Sequence, residues 1–235
     1  MTTTSEAVRK GYVELLRGGL VVSCQAREGE PLHGPEFMVA MALSAIAGGA
    51  VGVRLEGIHD LRAVVSAVSV PVIGLEKVGH EGVYITPTIA SALAVADTGA
   101  GIVAVDGTSR ERPDGSTLAE VIAAVHKRGR LVMADISVTA EGIAAVEAGA
   151  DVLSTTLSGY TPYSRQAPGP DLALVSELAR LVAAPVFAEG RITDPYQAAQ
   201  ALAAGAYAVV VGSAITRPTL ITERFAMALD PEGRS

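Results

Sequence analysis

The segment Ala140-Glu-Gly-Ile-Ala-Ala-Val-Glu-Ala148 runs through Gly149-Ala150-Asp151 into Val152-Leu-Ser-Thr-Thr156, and the fold is read from this stretch. A helical window over Ala140 to Ala148 stops at a glycine, an alanine follows, and a short apolar run over Asp151 to Thr155 begins at once. Glycine ends a helix in the left-handed conformation at little cost, and alanine lets the helix end sit close to a sheet. The same turn recurs as Gly48-Gly49-Ala50, Gly99-Ala100-Gly101 and Gly205-Ala206-Tyr207, each leading into a β-rich run. A repeated helix, small-residue turn and buried strand is the mark of stacked βα units.

Extending the pattern in both directions gives eight candidate strands: Leu20 to Cys24, Val51 to Arg54, Pro71 to Lys77, Gly101 to Asp106, Leu131 to Asp135, Asp151 to Thr155, Pro185 to Glu189 and Tyr207 to Gly212. Most are continuous Val, Ile, Leu and Ala runs, as expected of parallel strands covered on both faces. Helical windows fall between them at Phe37 to Ala47, Ile58 to Val68, Ile89 to Thr98, Thr117 to Arg128, Ala140 to Ala148, Asp171 to Val182 and Tyr196 to Ala204, and Arg217 to Leu229 closes the chain. Ser116 is placed to cap the fourth of these, and Asp194 followed by Pro195 caps the seventh. A second echo, Val70-Pro71-Val72-Ile73 and Ala184-Pro185-Val186-Phe187, opens the third and seventh strands. No linker or charge run interrupts the series, so the expected fold is α/β, a single (β/α)8 TIM barrel spanning residues 1–235. The barrel itself runs from about residue 18 to 229. An extra helix over about residues 5–17, with Val8, Tyr12, Leu15 and Leu16 at helical spacing, closes its bottom. An open doubly wound sheet is the competing architecture, but its Gly-rich phosphate fingerprint is missing after the first strand, which ends Ser-Cys-Gln-Ala.

Composition narrows the function. With 49% hydrophobic and 18% charged residues in 235, the chain is globular rather than disordered. A mean hydropathy of +0.39 raises the question of membrane insertion. The best apolar segment, Phe37 to Val53, is short, broken by Ser44 and Gly48-Gly49, and rich in alanine, so it reads as a buried helix entering a strand. The formal net charge of -7 argues against nucleic acid and anionic membrane surfaces as partners, yet leaves room for a small anionic ligand. Cys24 is the one cysteine and so forms no internal disulfide. With an N-terminus unlike a secretory signal, it points to the cytoplasm.

Barrel active sites are built at the C-terminal ends of the strands. Here those ends carry Gln25, Arg54, Lys77, Asp106, Asp135, Thr155 with Thr156, Glu189 with Arg191, and Gly212 with Ser213. So many charges at one mouth would each lose hydration and need a partner, so their convergence points to a site. Phe187-Ala-Glu-Gly-Arg-Ile192 and Val209-Val-Val-Gly-Ser-Ala-Ile215 match the phosphate site that barrels place after strands seven and eight. Gly190, Gly212 and Ser213 are the phosphate candidates, with Arg217 as a side-chain partner. Lys77 is walled by protein and close to Arg54, so its charged form is disfavoured and it can act as a base. Glu189, across the barrel, supplies a second proton-transfer group, and one group on each face of a substrate implies inversion. A strand-end lysine also suits Schiff-base formation, and composition does not separate the two. His33, His59, His80 and His126 fall in loops or helices without ligand spacing and are expected on the surface, so no metal site is expected.

Seven motifs carry a resemblance: Val22 to Ala26 with Gly29 to Leu32, Tyr84 to Thr88, Arg112 to Gly115, Met133 to Ser137, Thr155 to Thr161, Ala188 to Ile192 and Val211 to Pro218. Together they resemble the N-acetylmannosamine-6-phosphate 2-epimerase family, over about Gly18 to Leu229. The resemblance implies conversion of N-acetylmannosamine 6-phosphate to N-acetylglucosamine 6-phosphate in sialic acid breakdown, without a cofactor. It implies Lys77 and Glu189 as acid/base groups and Gln25, Arg54, Asp135, Thr156 and Arg191 around the sugar. Gly190, Gly212, Ser213 and Arg217 would hold phosphate. The partner implied is a small sugar phosphate, and a homodimer is compatible with the pattern. Two departures stand out. Lys77-Val-Gly-His-Glu-Gly-Val83 lacks the Arg-Asp that often follows the lysine, and Ser154 stands where the family has Gly; both bear on substrate preference more than on reaction type. Alternatives are a Schiff-base aldolase or isomerase on another phosphosugar, and a regulatory barrel that binds a phosphosugar without turnover.

Overall fold

The computed structural model describes residues 11–229. Eight parallel strands form a closed barrel in chain order: β1 Leu20–Cys24, β2 Gly52–Glu56, β3 Val72–Leu75, β4 Ile102–Asp106, β5 Leu131–Asp135, β6 Val152–Ser154, β7 Val186–Glu189 and β8 Ala208–Val211. Helices α1 Pro35–Ala47, α2 Ile58–Ala67, α3 Ile89–Ala96, α4 Leu118–Lys127, α5 Thr139–Glu147, α6 Leu172–Leu181 and α7 Pro195–Ala203 alternate with the strands. α8 Ser213–Thr216 and α9 Pro218–Leu229 follow β8. The closing helix expected from Arg217 is α9, which starts one residue on at Pro218, and a separate short turn, α8, precedes it. Pro218 cannot continue the turn begun at Ser213, and Arg217 sits extended between the two.

The repeated turn works as its chemistry demands. Gly49, Gly149 and Gly205 have φ near 100°. Each amide bonds back to the helix while the following alanine reaches one turn deeper, as in Ala150 N to Ala145 O at 2.9 Å and Ala206 N to Ala201 O at 3.1 Å. The next amide then joins the sheet, as Asp151 N does to Val132 O at 3.0 Å. Helix starts are also chemically fixed. Asp194 accepts from Gln197 N ahead of Pro195. For α4 the cap is Thr117, one residue past the expected Ser116. Thr117 exchanges hydrogen bonds with Glu120, while Ser116 donates to Asp114 in the preceding turn.

Strand side chains alternate between two cores. Val22, Val53, Val103, Val132 and Leu153 pack outward against the helices, and Val21, Ile73, Ile102, Met133, Phe187 and Val210 fill the barrel. The bottom is plugged by the N-terminal segment. Residues 11–14 are helical, Val13 and Leu16 are buried in the barrel core, and the Tyr12 hydroxyl accepts from Val72 N at 2.9 Å. Leu15, expected on the buried face, is 61% exposed, because Val13 takes the inward direction. Ser5 and Val8 lie outside the described residues. Tyr12 covers Gly101 so closely that a Cβ there would meet its ring at 2.3 Å.

Candidate active site

The alternation that fills the barrel also decides what reaches its mouth. Within a strand every second residue points inward. Following Met133 inward on β5 comes Asp135, following Phe187 on β7 comes Glu189, and following Val152 on β6 comes Ser154. The same parity places Arg54 and Glu56 on β2, Ser23 and Gln25 on and after β1, Lys77 after β3 and Gly212 after β8. A cavity of about 1240 Å³ opens there, lined by Gln25, Arg54, Glu56, Lys77, Thr156, Glu189, Gly190, Arg191, Gly212, Ser213 and Arg217 among others.

Arg54 is the centre of the floor. It is 1% exposed. Its Nη2 donates to Asp135 Oδ2 at 2.6 Å and its Nη1 to Asp135 Oδ1 at 3.1 Å, and Nη1 lies 3.0 Å from Glu189 Oε2. Burial opposes the charge on Arg54, but Asp135 and Glu189 more than offset it and hold its pKa above the ordinary value. The carboxyl of Glu189 is pushed instead toward its neutral form. Burial raises its pKa, opposed by Arg54 and reinforced by the neighbouring Asp135. Thr156 Oγ1 touches both carboxyls, at 2.8 Å from Asp135 Oδ1 and 3.0 Å from Glu189 Oε2, and Ser154 Oγ donates to Glu189 Oε2 at 3.1 Å.

Lys77 stands across the mouth, where it forms an isolated antiparallel bridge with Ile85. Its Nζ donates to Gln25 Oε1 at 2.6 Å, and Gln25 Nε2 in turn donates to Ser23 Oγ at 2.8 Å. The surrounding rim strips water from the ammonium and lowers its pKa; Glu56 opposes this and Arg54 adds to it. Lys77 itself is open to solvent at the mouth, and the two shifts, its own downward and that of Glu189 upward, bring an amine that deprotonates more easily and a carboxyl that protonates more easily to opposite sides of one cavity.

The third part of the cavity is backbone. Gly212 caps α8, and its carbonyl accepts from Ile215 N and Thr216 N. The amides of Ser213 and Ala214 come before any intrahelical acceptor is available to them. Gly190 has φ 105° and, like Gly212, lines the cavity.

The structure brings nearly all the residues read from the sequence to one place, with differences in what they touch. Asp135 lies under the cavity floor, fully buried, with both oxygens engaged by Arg54 and Thr156. Asp106 is not in the cavity wall. It accepts from Thr108 N and Oγ1 and from Arg110 Nη2, and so locks the loop after β4. Arg191, at φ 55°, donates to the carbonyls of Gly169 and Ser158 and lies over the Tyr160 ring, which ties the β7 loop to the β6 loop. Arg217 pairs with Glu30 from the loop after β1. Of the histidines expected on the surface, His33, His59 and His80 are exposed, His33 and His80 along the lining of the cavity, and His126 is half-buried against Asp151 at 2.7 Å. Sequence reading missed Glu56, and it named Ser154 only as a departure from the family and Tyr84 only within a motif, without placing either at the site. The first two follow from strand parity; Tyr84 lies in a loop, where no period applies. Among the described residues no group of three or more His, Cys, Asp or Glu side chains is placed to hold a metal ion, and no helix is long and apolar enough to cross a membrane.

Residues 38–231 match the family model described as "Putative N-acetylmannosamine-6-phosphate epimerase". Two curated relatives carry the same description with the carbon specified, as 2-epimerase. The one from Caldanaerobacter subterraneus subsp. tengcongensis is 52% identical over 217 residues, covering 91% of this chain and 92% of the relative. The one from Cutibacterium acnes is 51% identical, covering 91% and 95%. A solved structure of the N-acetylmannosamine-6-phosphate 2-epimerase from Clostridium perfringens is similar with a TM-score of 0.89 and 43% identity, covering 92% of this chain and 95% of the other. A thiamine phosphate pyrophosphorylase from Pyrococcus furiosus, at 16% identity and TM-score 0.61, shares the fold alone.

Proposed function

The chain belongs to the N-acetylmannosamine-6-phosphate epimerase family, and from that membership and the geometry of the mouth we propose that it inverts C2 of N-acetylmannosamine 6-phosphate to give N-acetylglucosamine 6-phosphate. One observation carries this reading. An amine on one side of the barrel and a carboxyl on the other reach a single cavity, one end of which is lined by Gly190, Gly212 and Ser213.

The chemistry follows from where the charges sit. The C2 hydrogen is acidic only in the open-chain sugar, beside the C1 carbonyl. Neutral Lys77 takes that proton, the C2–H electron pair moves toward C1, and the developing negative oxygen is stabilised by nearby donors. Glu189 delivers a proton to the opposite face of C2, which inverts the centre, and exchange with solvent resets both groups. β3 and β7 stand four places apart in the eight-stranded ring, as delivery to opposite faces requires. Gln25 holds the Lys77 amine in place, and Arg54, kept cationic by Asp135, orients Glu189. Thr156 faces the sugar, and Arg191 borders the same cavity while its guanidinium holds the loop after β6 in place. The phosphate binds between Gly190, Gly212 and Ser213, and Arg217 exchanges Glu30 for it. Cys24 takes no part: burial pushes its thiol up to about 12, and on β1 it points away from the mouth. We infer a cytoplasmic location from the substrate class, since a phosphorylated sugar does not cross a bilayer unaided.

Purified protein incubated with N-acetylmannosamine 6-phosphate in deuterated water, followed by NMR, should give the 2-epimer with deuterium at C2. Neither epimer nor deuterium would overturn the reading. Epimer formed with the original hydrogen kept at C2 would overturn the two-group mechanism.

A further inference from the structure

All the protein contacts described for the Glu189 carboxyl fall on one of its oxygens. Oε2 lies 3.0 Å from Arg54 Nη1, 3.1 Å from Ser154 Oγ and 3.0 Å from Thr156 Oγ1. Ser154 is fully buried and points inward, and Glu189 keeps 12% of its side-chain surface, facing the cavity. The two hydroxyls also touch each other at 2.8 Å, and Thr156 reaches Asp135 Oδ1 at 2.8 Å. Two hydroxyl hydrogens therefore serve four oxygen–oxygen contacts. Arg54 can only donate, so it stabilises the anion of Glu189 alone. A hydroxyl both donates and accepts, so Thr156 can turn its hydrogen to Glu189 when that group is ionised and to Asp135 when Glu189 carries its proton.

We propose that Ser154 and Thr156 form a positioning pair that anchors Oε2 of Glu189 as a permanent acceptor and leaves Oε1 as the oxygen that exchanges the proton. The pair acts through Glu189 and rests on the acid/base role given to that residue above. The charged groups facing Glu189 are Arg54 from β2, Asp135 from β5 and Lys77 from the end of β3.

Removing a hydroxyl that donates to a carboxylate destabilises the anion and raises its pKa. A hydrogen bond to a charged group is worth ~1.5 kcal/mol or more, which corresponds to about one pH unit. Ser154→Ala and Thr156→Val should each move the Glu189 limb of the kcat/KM profile upward by roughly one unit. This direction holds whether Glu189 acts protonated or ionised, since in either case the limb marks its pKa. Thr156→Ser keeps the hydroxyl and should restore the wild-type profile. The epimerisation profile of each variant, with thermal melting to establish folding, decides the matter, and Glu189→Gln serves as the reference. Limbs that stay at the wild-type pH in both Ser154→Ala and Thr156→Val, while Glu189→Gln is inactive, would overturn the pair's role and leave the acid/base reading intact. An active Glu189→Gln would overturn the acid/base reading itself, and the pair's role with it. Should Thr156→Val fail to fold, Ser154→Ala, which deletes one oxygen, decides alone.

Discussion

Replacing Arg54 by methionine removes the cation on which two buried carboxyls depend. Asp135 is fully buried and Glu189 nearly so, and Arg54 approaches them at 2.6 and 3.0 Å. Met133 Sδ, 3.2 Å from Nη1, offers no charge in its place. Deleting one partner of a buried ion pair costs about 3–5 kcal/mol, because the other charge is left without compensation. For a chain of this size each kcal/mol lowers the melting temperature by about 2–4 °C, so Arg54→Met should melt roughly 6–20 °C below wild type. The cause separates cleanly from simple loss of packing. In Arg54→Met/Asp135→Asn the fully buried carboxylate is gone, and Glu189, whose pKa burial already raises, can take up a proton instead, so most of the lost stability should return although both side chains have changed. Epimerase activity should be absent from both variants, since neither holds Glu189. Thermal and urea unfolding of wild type, both single variants and the double variant gives the coupling energy directly. A loss under about 1 kcal/mol in Arg54→Met would refute the reasoning, since that is the scale of an exposed pair. A double variant no more stable than Arg54→Met would refute it equally.

Three further outcomes follow from single contacts. Glu56 raises the pKa of Lys77 against the lowering effect of desolvation, so Glu56→Gln should lower that pKa further. The limb on which activity rises with pH, as Lys77 becomes neutral, then moves to lower pH; a shift upward would contradict the base assignment. Gly101→Ala places a Cβ at 2.3 Å from the Tyr12 ring, an overpacking that should cost about 1–3 kcal/mol in thermal unfolding, and an unchanged melting temperature would mean that Tyr12 does not seal the barrel. In Gly212→Ala the new Cβ stands 3.4 Å from the nearest Ser23 atom, ordinary contact, so the fold should hold while KM for the sugar phosphate rises and kcat changes little. A fall in kcat at unchanged KM would move the phosphate away from Gly212.

Much of this was legible in the sequence because the deciding signals are local. A glycine at a helix end followed by alanine records a backbone conformation, and β1 and β5 fall on the residues expected of them. Arg54, Lys77 and Glu189 were legible as charges interrupting apolar runs, which barrel strands carry only at their mouths. Their partners were not, because pairing depends on which loops meet in space. Arg217 meets Glu30 across the length of the chain, and Arg191 spends its donors on carbonyls of another loop. Asp106 has inward parity like Asp135, yet Thr108 two residues on offers it a nearer partner. Ser154 was noted as a departure from the family's Gly but read as a small change, although its place two positions after inward-facing Val152 fixes where its hydroxyl points.

Every strand pairing in this barrel joins neighbours in the chain except one: β1 with β8, where Val21 meets Val210 and Val22 meets Val211. Gly212 and Ser23 lie on that seam, and the Thr216 hydroxyl bridges it to Ser23 O at 2.9 Å. An anion bound at Gly212 therefore recognises only a chain whose two ends have already met. Its binding energy adds to the stability of the closed ring and of no partly assembled one. With the phosphate seated there as proposed, the substrate would act as a clasp, and phosphate alone should slow the opening of the seam measured by hydrogen exchange at the β1 and β8 amides while leaving the β4–β5 amides unchanged.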